Sequence, residues 1–80
     1  MTEEMILRAL SAAQVDDTTW AMGNIRKAIE RGHMADTPEA LQVVMARAAV
    51  VAKENLVTPD MPVDGLDINL AIGLLRQEAS

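Results

Sequence analysis

Cysteine is absent from this 80-residue chain, and so are phenylalanine and tyrosine; Trp20 is its only aromatic residue and His33 its only histidine. Without thiols there are no disulfides and no thiolate metal ligands, which fits a reducing compartment. With one histidine and two serines, Ser11 and Ser80, nucleophilic catalysis has no base with an oriented partner. The glycines are scattered and none follows a strand-like run, so no phosphate-cradling loop is available. No apolar run reaches the roughly 18 residues of a membrane span, and the opening Met-Thr-Glu-Glu lacks the basic region of a signal peptide. The expectation is a cytoplasmic protein with no membrane partner and no catalytic activity.

What the chain does contain is helix-forming. Half of its residues are hydrophobic, drawn almost wholly from Ala, Val, Leu, Ile and Met, whereas strands would draw on aromatic and β-branched residues at alternating positions. Eighty residues make one domain, 1–80, near the size at which self-association commonly adds stability. Twelve acidic against seven basic residues give a net charge of −5, which argues against direct binding to nucleic acid or anionic membranes.

Four helices are predicted. The first, Thr2 to about Gln14, places Ile6, Ala9, Leu10 and Ala13 on one side, with Glu3 and Glu4 in its first turn complementing the helix dipole. Val15-Asp16-Asp17-Thr18-Thr19 breaks it and caps a second helix, Thr18 to Arg31, which buries Ala21, Met22, Ile25, Ala28 and Ile29 and ends at Gly32. Thr37-Pro38-Glu39 caps a third, running to about Leu56. After the Pro-rich loop Val57 to Gly65, a fourth runs from Leu66 or Asp67 to Glu78. The expected fold is all-α, an antiparallel core of the first three helices with the last packed across it.

Helices three and four are apolar on two faces. Leu41, Val44, Met45, Ala48, Val51 and Ala52 form one stripe of the third, while Val43 and Val50 lie nearly opposite. Val43, Val50 and Val57 recur every seven residues, a coiled-coil-like spacing. In the fourth, Ile68, Ala71, Ile72 and Leu75 form one stripe and Leu66, Leu70 and Leu74 another, with Gly73 beside it to admit a close neighbour. Either the third helix is central and both stripes are core, or the second stripes meet another molecule. The second reading makes the protein a non-catalytic interaction module, most simply a homodimer.

Trp20 shares a helix face with Lys27 and Arg31, the composition of an interface anchor. The stronger expectation is that, in the first turn of its helix, this large side chain folds back onto the end of the first helix. Glu30 and His33 have the Glu-x-x-His spacing of a half di-metal site, but Gly32 ends the helix between them and no second such pair exists. In the acidic stretch Asp60 to Asp67, Pro62 occupies a would-be calcium ligand position and Ala71 stands where a bidentate Glu is required. No metal or cofactor is expected. An acyl-carrier role fails because Gly65 stands where the attachment serine belongs, and a helix-turn-helix reading fails on charge and on a recognition helix of valines and alanines.

The candidate partner-binding residues are therefore Trp20, Lys27, Arg31, Val43, Val50, Leu66, Leu70 and Leu74. The alternative is an acidic inhibitor, of the kind bacteria or phages encode, that occupies a basic surface of a nucleic-acid-binding protein. That role requires the fold to gather carboxylates that are spread along the chain, Glu3, Glu4, Asp16 and Asp17 early and Asp60, Asp64 and Asp67 late.

Overall fold

Each helix begins at a side chain that satisfies its free backbone donors. The computed structural model describes residues 1–55 and 63–79, as α1 (Glu3–Ala12), α2 (Thr18–Glu30), α3 (Pro38–Asn55) and α4 (Gly65–Ala79). Thr2 Oγ1 accepts from Met5 N at 3.3 Å, Asp17 Oδ1 from Trp20 N at 3.2 Å and Thr37 Oγ1 from Ala40 N at 3.2 Å. At α4 the cap is reciprocal: Asp64 Oδ1 accepts from Asp67 N at 3.0 Å, and Asp67 Oδ2 from Asp64 N at 3.1 Å. This is a capping box made from two aspartates. Leu56, Val57 and the two prolines of the loop lie outside the described residues.

Two of the C-terminal ends share one device. After α2, Gly32 N donates to the Ile29 carbonyl and His33 N to the Ala28 carbonyl, with Gly32 at φ +73°. After α1 the same pair of bonds runs from Gln14 to Ser11 and from Val15 to Leu10. Both are Schellman turns, which require a left-handed residue that is usually glycine. Gln14 takes that position at φ 56°, and the turn is held by burial of Val15 and Leu10. Gly32 thus separates Glu30 from His33 as the sequence predicts.

The protein is a small all-α fold in which α4 packs on both α2 and α3. The first helix closes the far side by packing on α2 and α3. Among the described residues α2 and α3 make no close backbone approach to each other, and neither do α1 and α4. The order around the core is therefore α1, α2, α4, α3. The predicted helices are present, but α4 takes the place beside α2 that an antiparallel three-helix core gives to α3. The seven residues between α2 and α3 leave α3 free to lead away, and Gly65 lets the start of α4 come close to α2.

Paired residues fix the directions. Trp20 and Asn24, early in α2, meet Gly65 at the start of α4, while Arg31 and Arg76 share a cleft near the two ends, so α2 and α4 run in the same sense. Arg47 of α3 bonds Glu78 near the end of α4, and Val43 shares a cavity with Ala79, so α3 and α4 run oppositely. The core holds Leu10, Ile25 and Ile68 fully buried, with Ala21, Ala48 and Ala71 equally inaccessible where small side chains let the helices approach. The predicted inward stripes of all four helices are there, Met22, Ile29, Met45 and Leu75 at their half-buried margins.

The left-handed Gln14 gives a test of this frame. Replacing Gln14 by Gly removes the steric cost of the left-handed conformation, about 1–2 kcal/mol, and restores part of it as chain entropy. Gln14→Gly raises the stability measured by urea unfolding by about 0.5–1 kcal/mol. A variant less stable than the parent contradicts this account of the turn.

Candidate functional site

A body of 33 × 30 × 18 Å is thin along one axis, so α3 and α4 keep faces that no other helix covers. Val43 is 54% exposed and Val50 48%; on α4, Leu66 is 56%, Leu70 45% and Leu74 38% exposed. The reading in which both stripes of α3 are core is therefore overturned. α4, flanked by α2 and α3, is the central helix, and its outward stripe still faces solvent.

Four of these side chains, Val43, Val50, Leu70 and Leu74, flank the place where α3 and α4 are bridged, and Leu66 continues the α4 stripe one turn earlier. Arg47 lies between Val43 and Val50 on the same side of α3, four residues after one and three before the other. Its guanidinium donates to both carboxylate oxygens of Glu78, Nη1 to Oε1 at 2.6 Å and Nη2 to Oε2 at 2.7 Å. Glu78 is one turn beyond Leu74, so the bridge sets the Val43 and Val50 side of α3 against the Leu70 and Leu74 side of α4. The result is an apolar surface on two antiparallel helices with one ion pair crossing it. Met5 and Leu7 of α1 are also exposed, on a helix whose inward face alone drew attention in the sequence.

Trp20 lies against the start of α4. A Cβ built on Gly65 would fall 2.5 Å from Trp20 Cε3 and 2.8 Å from Cζ3, so the indole rests on the bare Gly65 backbone. Asn24 Nδ2 donates to the Gly65 carbonyl at 3.4 Å. The ring remains 48% exposed. Trp20, Asn24, Lys27 and Arg31 recur at helical spacing along one stripe of α2 beside α4. The close-approach glycine is thus Gly65, whereas Gly73, expected in that role, has nothing within 4 Å of a Cβ. Among the described residues no helix uses the gap that Gly73 leaves.

Lys27 and Arg31 are joined by two residues outside the expected partner-binding set. His33 and Arg76 line the same cleft between α2 and α4. Lys27 and Arg31 are visible as a pair in the sequence because they are one turn apart. Arg76 joins them only through the parallel packing of α4. Among the described residues no group of three or more His, Cys, Asp or Glu could hold a metal ion, and no helix is long and apolar enough to cross a membrane.

The acidic residues are partly gathered. Asp16 N donates to the Val63 carbonyl at 3.3 Å, which brings the α1–α2 turn and its two aspartates to the start of α4. Asp17, Asp64 and Asp67 each spend a carboxylate oxygen on a helix cap. Comparison with protein-family models, curated proteins and solved structures found no match. The functional reading rests on the residues and their geometry.

The two glycines of α4 separate by test. Gly73→Ala gains helix propensity with no clash and raises stability by up to about 1 kcal/mol. Gly65→Ala pushes the indole off its seat, lowering stability by about 1–3 kcal/mol and shifting Trp20 emission to longer wavelength. Equal effects of the two substitutions on melting temperature and emission contradict the packing described.

Proposed function

We propose that this protein is a non-catalytic protein–protein interaction module that associates as a homodimer through the outer faces of α3 and α4. The observation that carries this reading is the set of five half-exposed aliphatic side chains, Val43, Val50, Leu66, Leu70 and Leu74, along a single helix seam. Each Val or Leu fully buried contributes about 1.5–3 kcal/mol, and half-exposed side chains about half of that. Five per protomer, doubled by two-fold symmetry, match the scale of a small dimer's stability. Trp20, Lys27 and Arg31 form a second contact surface on the α2 side, with the aromatic and cationic composition of binding hot spots. A protein partner, a second copy or another chain, fits the seam better than nucleic acid does, because the net charge of −5 opposes phosphate.

The second reading is an acidic inhibitor of a basic protein surface, supported by the Asp16 to Val63 bond that draws aspartates to one end. The two differ in salt dependence. An apolar seam holds as ionic strength rises, while binding through carboxylates weakens steeply.

Sedimentation of the wild type, Val50→Asp and Leu70→Asp decides the first reading. The wild type sediments as a dimer whose mass is unchanged between low and high salt. Because Val50 and Leu70 are about half exposed, Asp is tolerated in the folded protomer. Both variants keep their helical circular dichroism and sediment as monomers. A monomeric wild type, or a dimer that survives both substitutions with the fold intact, overturns the proposal.

A further inference from the structure

Three of the seven lysine and arginine residues of this acidic chain line one cleft. Lys27 comes from α2, Arg31 from its C-cap, Arg76 from α4 and His33 from the segment that follows α2, with Asn24 and Asn69 as further polar lining. The cleft holds about 370 Å³, and among the described residues no acidic side chain lines it. Gly73 also lines it, and no atom lies within 4 Å of a Cβ built there.

Elsewhere the chain neutralises its arginines. Arg8 meets Glu4, Arg26 meets Glu3 and Arg47 meets Glu78. Lys27, Arg31 and Arg76 have no ion pair among the described residues. Cations near helix C-termini are often explained by the helix dipole, and both α2 and α4 end beside this cleft. Two such termini supply about one negative charge between them. Three permanent positive charges exceed that, and the excess is what an anion would neutralise.

A second cavity, of about 490 Å³, adjoins the first, since His33, Ile72 and Arg76 line both. Its remaining walls are apolar, chiefly Met34, Val43, Val44 and Leu75. Both volumes fall in the range of small-molecule sites, which pair an apolar lining with a few placed polar groups. The geometry points to a binding site for a small amphipathic anion. Its carboxylate or phosphate head lies among Lys27, Arg31 and Arg76, and its apolar body lies against Met34, Val44 and Leu75. This site shares Val43 with the proposed dimer face but takes none of Leu66, Leu70 and Leu74.

Amide chemical shifts of the labelled full chain test it, with octyl phosphate and octanoate below their micelle concentrations, and octanol and inorganic phosphate as half-ligands. Both amphiphiles perturb residues of both cavities, and each half-ligand binds about tenfold more weakly or worse. Tighter binding of octyl phosphate identifies a phosphate head and tighter binding of octanoate a carboxylate. The double variant Arg31→Gln, Arg76→Gln keeps its helical dichroism and its octanol affinity, and loses about tenfold or more for octyl phosphate. Shifts absent from both cavities, shifts confined to Leu66, Leu70 and Leu74, or unchanged octyl phosphate affinity in the double variant overturn the assignment. Inorganic phosphate binding as tightly as octyl phosphate overturns its apolar half.

Discussion

The packing of α4 against both α2 and α3 is the constraint on which the other surfaces depend. Its start is fixed by two local devices, the Asp64 and Asp67 capping box and the contact of Trp20 and Asn24 with Gly65. With that end held, the inward stripe of Ile68, Ala71 and Ile72 is buried, and the outward stripe of leucines stays about half exposed. The same placement runs the Trp20 to Arg31 stripe of α2 alongside α4 in parallel, which collects Lys27, Arg31 and Arg76 at one cleft.

Magnitudes decide which surface dominates association. The Arg47 to Glu78 bridge is partly exposed on both sides, and surface ion pairs of this kind contribute about 0–1 kcal/mol. Covering several valines and leucines contributes more in sum, at roughly 1.5–3 kcal/mol for each full burial. In the proposed dimer, apolar area would therefore supply the driving force, while the Arg47 to Glu78 bridge ties α3 to α4 within one protomer. At the α2–α4 cleft the balance is reversed, because the side chains that converge there are cationic and share no carboxylate. One thin fold thus presents two chemically distinct surfaces on either side of its central helix.

Local signals in the chain proved sufficient wherever the physics is local. Thr2, Asp17, Thr37 and Asp64 cap the four helices because a short oxygen side chain needs only its own next turn to bond. Gly32 ends α2 for the same reason. The end of α1 was harder to place, since Gln14 takes a left-handed position that residue preference assigns to glycine; burial of Val15 and Leu10 holds it there. The exposed stripes were legible as an excess of apolar residues over one helix face, but their exposure was not. A valine on a second face is equally consistent with a central helix and with an uncovered one.

From residue order alone came the helical class, the four helices to within a few residues at their ends, the Thr37 cap and the inward stripes, all read from signals one or two turns long. Tertiary structure decided which helix is central, which glycine admits a neighbour, and which cations share a cleft. Those outcomes depend on contacts between residues some forty apart, such as Asn24 with Gly65, where helical periodicity carries no information about which face meets which.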